Sequence, residues 1–599
     1  MTRASLWPFD GRATSLLVIA LALLVLASWS VQRMADPHVQ YLSADIVEED
    51  DEEPIFVAII WHFHQPFYEV DDDGLFKEPW VRAHALKDYL DMVAKAEDYS
   101  IPLTFNLAPS LMLQIEALID GAEDRHLHVT KKPAEDLTED DKRFMLESFF
   151  SLEWDTVVIP NKGYLSLLEK RGFDDQHFQT FSPKHIDQGL ATYSVQDYRD
   201  LQIWYTLGWF DPDMLKTEPL KALVDKGSGF SEEDKKTVLT EQERVIADIP
   251  VLYRRLQEEG KASFIMSPMY HPIIPLLINT SVVKEDRKNT QLPEVGFSWF
   301  IDAQVQVDRS VSWYEKFFGS KPTGMWLSEG AVSPRSIDLL ESAGIRWTVL
   351  DDQMLPCAGE SGCYLPARLG DGDVVGIIRL SEVSESLGSV QHVELARSGA
   401  GSLIRRIKAI SSDGGSGRDD IPPPLYVILQ DGENMWRDFP EDGNLFLHDL
   451  YTRLLDDPRI EVVTPDMYLD RYEVTDRIET VPVGSWIDGE LLTWIGEKEE
   501  NRAWEYLAFV RNDFEAMKAS GDRTSADLEL AYEEILKAEG SDWFWYYGLD
   551  RSYYSDHDAN MDSAFRSTLK NVYLLLDEDA PVFLDEPIYG LDVAEKDRP

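Results

Sequence analysis

Cysteine is nearly absent: the 599-residue chain has two, Cys357 and Cys363. Two thiols exclude a disulfide framework and a four-thiolate metal site. They either pair across the short loop between them or stay free. Positive charge is also scarce, with 57 Lys and Arg against 109 Asp and Glu and a formal charge of −52. A nucleic-acid binder needs a basic footprint, so that class is excluded. The acidic surface is well solvated and self-repelling, as suits a salt-rich setting. Long apolar runs are rare too. One spans residues 16–27, preceded by Arg3 and Arg12, and its length lies between a signal-peptide core and a full membrane span. The positive flank predicts a cytoplasmic N-terminus and an exported remainder. Residues 1–33 thus read as a signal anchor or signal peptide, giving a membrane-anchored or secreted protein outside the cytoplasm. Ser28-Trp29-Ser30 makes a poor cleavage site and favours the anchor. An acidic linker over 34–53 follows, with seven acids at positions 45–53.

Aromatic residues are plentiful: 17 Trp, 24 Tyr and 26 Phe within a 44% hydrophobic composition. The chain is globular and long enough for two or three domains. Continuous apolar runs at 55–61, 103–106, 262–266, 345–350, 374–378 and 425–429 read as strands buried on both faces. Each is followed by polar residues at its end and then by a helical pattern. Seven or eight such runs predict an α/β fold with a (β/α) barrel over 54–470. Helical insertions occupy much of 123–249, and a helical C-terminal domain covers 471–599. Catalytic side chains of such barrels sit where the strands end.

Two of those ends carry carboxylates. Residues 323–327 lead to Glu329, and 425–429 lead to Asp431, with Trp326 and Trp436 beside them. Two carboxylates from different strand ends, flanked by indoles, are what glycosidic bond cleavage needs. The first strand runs into His62-Phe63-His64-Gln65-Pro66, where the period of two turns both imidazoles to one side. His271 and Arg379 stand at two further strand ends.

These stretches together resemble glycoside hydrolase family 57. Residues 59–66 look like its first signature, and Phe105-Asn106-Leu107-Ala108-Pro109-Ser110-Leu111 is typical of it. Residues 324–329 look like its nucleophile region, 431–436 like its acid/base region, and 484–501 like its fifth region. The resemblance implies an irregular (β/α)7-type barrel whose active-site cleft is completed by the helical C-terminal domain. It implies a retaining enzyme acting on α-1,4 or α-1,6 linkages of α-glucans, of the α-amylase or amylopullulanase type. Glu329 would be the nucleophile and Asp431 the acid/base. His62, His64, Gln65, His271, Arg379, Glu433 and Asn434 would bind sugar, with Trp326, Trp436 and Trp494 as stacking partners. No metal or cofactor is expected. Two departures stand out: Ser263 replaces a strand Glu, and Leu380 replaces the Asp that usually follows the Arg at 379. Rival readings are a glucanosyltransferase sharing the same covalent intermediate, a metal-dependent hydrolase or deacetylase using His62 and His64, and a non-catalytic glucan-binding relative.

Overall fold

The computed structural model describes residues 54–588 except 69, 71–73, 177–178, 389–398, 413–421, 434–435, 437–438 and 549–554. The apolar run at 16–27, the acidic linker and Asn434 lie outside the described residues. Among the described residues, no helix is long and apolar enough to cross a membrane.

The first strand, β1 (Ile55–Phe63), is buried at every residue, which is why its sequence is apolar throughout rather than alternating. It runs two residues beyond the expected end, so His62 lies inside it. The remaining strands are β2 (Leu103–Leu107), β3 (Ala262–Met266), β4 (Trp347–Asp351), β5 (Ala367–Leu369), β6 (Val375–Arg379), β7 (Leu425–Asp431), β8 (Ile460–Val462) and β9 (Asp476–Ile478). Their order is β3-β2-β1-β7-β6-β5-β9, with β4 on β6 and β8 on β1. The sheet is mixed, because β5 runs antiparallel to β6 while the other strand pairings are parallel. The short strands β5, β8 and β9 were not expected, since runs of three residues carry too little periodicity to be read.

The stretch before Glu329, expected as a strand, makes only two single parallel bridges, Met266 with Met325 and Gly324 with Trp347. Gly324 is needed here: a Cβ would stand 2.4 Å from the Trp347 ring. These bridges join β3 to β4, so the parallel pairings return to their starting strand.

Alternation along the strands builds a discrete apolar cluster from Phe56, Ala58 and Ile60 of β1, Val349 of β4, Ile377 of β6, and Val427 and Leu429 of β7. Continuing each series by two residues gives His62, Asp351, Arg379 and Asp431. The polar residues at the strand ends thus crown the same face that the apolar residues fill below.

Four helices form most of the C-terminal part: Lys498–Ser520, Ser525–Ala538, Ser541–Tyr546 and Ser555–Leu575. A buried ion pair ties the first to helix Phe300–Phe318, with Arg511 Nε donating to Asp302 Oδ2 at 2.7 Å and Nη2 to Oδ1 at 3.0 Å. Cys357 and Cys363 are disulfide-bonded, with Cα atoms 5.3 Å apart, in the loop between β4 and β5.

Candidate active site

Parallel pairing sets His62 beside Asp431 on β7 and Asn106 on β2. Asn106 Nδ2 donates to His62 Nδ1 at 2.7 Å and to Ser267 Oγ at 2.8 Å. His64 follows the strand end on the same side, as period two requires. Its backbone N–H donates to Glu433 Oε1 at 2.9 Å, and its Nε2 lies 2.9 and 3.0 Å from the two oxygens of Asp542. His271 completes a stack, its ring centroid 3.8 Å from His64 and 5.1 Å from His62. It is fully buried, and its backbone has a left-handed φ of 55°. Helix Ser541–Tyr546 holds it there: Ser541 N–H donates to the His271 carbonyl at 3.0 Å, and Ser541 Oγ is 3.0 Å from His271 Nδ1.

Glu329 lies in a short turn, Ser328–Gly330, with φ of 57°. A non-glycine residue in that region costs on the order of 1–3 kcal/mol and needs support from its surroundings. Trp486 supplies it twice. Its backbone N–H donates to the Glu329 carbonyl at 3.0 Å, and its indole Nε1–H donates to Glu329 Oε2 at 2.8 Å. The other oxygen, Oε1, is 3.8 Å from His271 Nδ1, too far for a hydrogen bond.

The electrostatics separate these groups. Burial, then repulsion by Asp431, pushes Glu329 up to about 7. Burial raises Asp431 to about 6, with His64 and Arg379 pulling the other way. Burial and Asp431 also push Glu433 well above the carboxylate range. Burial drives His62 and His271 well below the imidazole value, aided by the charge of His64. Burial acts on His64 in the same direction, but Asp542 first, and then Glu329 and Asp431, raise it overall. His64, raised by its acidic neighbours, therefore faces two raised carboxylates beside the lowered imidazoles of His62 and His271.

Several buried atoms here have no hydrogen-bond partner among the described residues: His64 Nδ1, His271 Nε2 and Glu433 Oε2. Each would otherwise cost about 1–3 kcal/mol. A ligand rich in hydroxyls offers both donors and acceptors to satisfy them. Among the described residues no cluster of His, Cys, Asp or Glu has the arrangement of a metal site. One nitrogen each of His62, His64 and His271 already faces Asn106, Asp542 and Ser541.

Most of the expected residues converge, with corrections. Gln65 is buried and accepts from Tyr68 OH at 3.0 Å. Trp326 is only 1% exposed and packs edge-on to His62 and Trp486, so it backs the site rather than offering a ring face. Trp436 and Trp494 are core residues at 1% and 0% exposure. Trp436 packs on Trp61, Phe439 and Phe446, and neither indole presents a face for stacking. The half-buried indole at the site is Trp486 instead. Arg379 lies 5.0 Å below the Trp486 ring. Its missing acidic neighbour is supplied across the strand register by Asp351, whose Oδ2 is 2.5 Å from Arg379 Nη1, while Leu380 is fully buried. Ser263 opens at the opposite end of the sheet, into a 230 Å³ cavity lined also by Pro102, Lys261, Thr464 and Met467.

Sequence reasoning missed Asn106, Trp486, Ser541 and Asp542 as site residues. Asn106 and Trp486 stood inside motif stretches, and Ser541 and Asp542 inside residues 538–548, which also resemble the family, so all four positions were signalled. Asp542 belongs to a short C-terminal helix, where an acid in the first turn reads as an ordinary helix-start residue.

Residues 58–481 match the family model described as glycosyl hydrolase family 57. The chain is 23% identical over 244 residues to an alpha-amylase from Pyrococcus furiosus, covering 40% of this chain and 32% of that one. It is 22% identical over 330 residues to a 4-alpha-glucanotransferase from Thermococcus litoralis, covering 49% and 44%. The chain thus spans less than half the length of both relatives. Its fold is similar to that of a family 57 branching enzyme from Thermococcus kodakaraensis, with TM-score 0.55, 15% identity, and 91% and 95% of the two chains covered. A branching enzyme from Pyrococcus horikoshii gives 0.54 at 16% identity, covering 91% and 99%. With the matched stretch running from β1 through β9 and carrying Glu329 and Asp431, the chain belongs to glycosyl hydrolase family 57.

Proposed function

We propose that the protein is a retaining glycoside hydrolase acting on α-glucans, with Glu329 as nucleophile and Asp431 as acid/base. The observation that carries this reading is the convergence of Glu329 and Asp431 with unpartnered buried hydrogen-bonding atoms of His64, His271 and Glu433 on a single rim. Glu329 attacks the anomeric carbon while Asp431 protonates the departing glycosidic oxygen, and the sugar is held as an ester on Glu329. Asp431 then takes a proton from water, whose oxygen attacks the anomeric carbon and releases Glu329. A sugar hydroxyl replacing water in that second step gives glucanosyl transfer, the activity named for the Thermococcus litoralis relative. His64, His271 and Glu433 bind hydroxyls of the sugar astride the broken bond. The returning ring of strands is, in this reading, the irregular (β/α)7-type barrel, and residues 1–33 anchor the chain at a membrane with the enzyme outside the cytoplasm.

Product analysis on maltooligosaccharides, pullulan and glycogen tests the activity, and Glu329→Gln tests the assignment. The isostere keeps the shape and loses the nucleophile, so turnover is expected to vanish with the fold intact. Near-normal turnover in Glu329→Gln would sink the assignment.

A further inference from the structure

We infer that Trp486 is a positioning residue that fixes which oxygen of Glu329 reacts: its indole holds Oε2 and leaves Oε1 to attack. This rests on the glycosidase reading above. The two oxygens are not equivalent in the structure. Oε2 accepts from Trp486 Nε1 at 2.8 Å, whereas Oε1 faces the His271 ring from 3.8 Å without a hydrogen bond.

The indole is itself held from several sides. Trp326 lies edge-on at 4.9 Å, and the Arg379 guanidinium lies 5.0 Å from its ring centroid. The segment carrying it is pinned by a two-way bridge, Val332 N–H to the Gly484 carbonyl at 2.9 Å and Gly484 N–H to the Val332 carbonyl at 3.3 Å. Gly484 and Gly489 let this turn close on the β4–β5 loop: a Cβ at Gly484 would come 2.9 Å from Met354 Sδ, and one at Gly489 3.0 Å from the Gln353 carbonyl. The same loop carries the disulfide.

The chemistry favours a neutral donor at this place. An N–H bond fixes the carboxylate plane without supplying the full positive charge that would deaden the nucleophile. When Oε1 forms the bond to the anomeric carbon and the glycosidic bond breaks, Oε2 becomes the ester carbonyl oxygen. The indole N–H can still donate to it, so the contact survives both halves of the cycle. When water displaces the ester, the electron pair returns to Oε1 and the carboxylate is re-formed in place. Trp486 never touches the reacting carbon in this scheme; it acts through Glu329.

Trp486→Phe keeps an aromatic ring and removes the donor. Roughly a 10- to 150-fold loss of kcat is expected, the worth of one hydrogen bond to an ionised group, with KM little changed. The acid limb of the pH profile should move to higher pH, because that bond favours the ionised carboxylate. An unchanged acid limb in an active, folded Trp486→Phe enzyme overturns the inference. A loss confined to KM does so too, since it would make Trp486 a sugar contact. A readout free of activity separates this from failure of the glycosidase reading. The indole N–H band in ultraviolet resonance Raman spectra, taken as wild type minus Trp486→Phe, should titrate in wild type and stay fixed in Glu329→Gln. A non-titrating band overturns the Trp486 inference whatever the enzyme cleaves. A titrating band with no cleavage or transfer on any glucan leaves the contact standing and overturns the nucleophile role given to it.

Discussion

Replacing Asp542 by Asn keeps the side-chain shape and removes a charge 2.9 Å from His64. With charge centres about 4 Å apart and an effective dielectric near ~20, the gross attraction is about 4 kcal/mol. Desolvation offsets much of it, because the two side chains are only 12% and 16% exposed. What remains is a charge-assisted hydrogen bond of about 1.5–3 kcal/mol, against about 0.5–1.5 for the neutral bond that Asn can make. The difference, about 1–2 kcal/mol, corresponds to roughly one pKa unit on His64. In Asp542→Asn, His64 therefore loses its proton at lower pH. Two effects then act on Glu329: loss of the His64 cation raises it, and loss of the Asp542 anion lowers it. His64 is the stronger influence of the two, so the acid limb of kcat/KM moves to higher pH. Stability follows from the raised folded-state value of His64. The pair contributes fully below the ordinary value of 6.5 and loses that contribution as pH rises through the folded value. Urea titrations should show a larger loss at about pH 5.5 than at about pH 9. An acid limb that stays or falls, or equal losses at both pH values in a folded variant, would refute this reasoning.

Ser263→Glu is expected to leave KM unchanged, because Ser263 opens at the end of the sheet away from His62 and Asp431. A tighter KM would return Ser263 to the sugar site. Cys357→Ser opens a link between residues six apart and should cost about 2 kcal/mol in a urea titration by loop-entropy arithmetic. It should also lower kcat, since the loop backs the Trp486 turn. Equal stability with and without the disulfide would count against that.

Long apolar strands were legible in the sequence because burial on both faces leaves no other reading for such runs. Residues 262–266 matched to the residue, and β7 differed only by the polar pair Gln430 and Asp431 at its end. Asp431, His62 and His64 were legible for a related reason: each ends or follows a strand, so a polar residue breaking an apolar run marks the rim. Tryptophan roles were not. Trp436, Trp486 and Trp494 all stand in stretches that mix glycine and acidic residues with apolar ones, and only the fold decides which indole is covered. Pairings across hundreds of residues, such as His64 with Asp542 and Arg511 with Asp302, leave no local pattern at either partner.

The His64–Asp542 contact spans 478 positions of the chain. During synthesis at about 5–20 residues per second, the ribosome needs roughly 25–95 s to travel from one partner to the other. Until residue 542 is made, His64 lacks the acid that raises it, and Trp486 arrives only late in that interval. A nascent chain thus carries both carboxylates well before it can orient them. The contact between His64 and Asp542 can therefore form only after translation has passed residue 542.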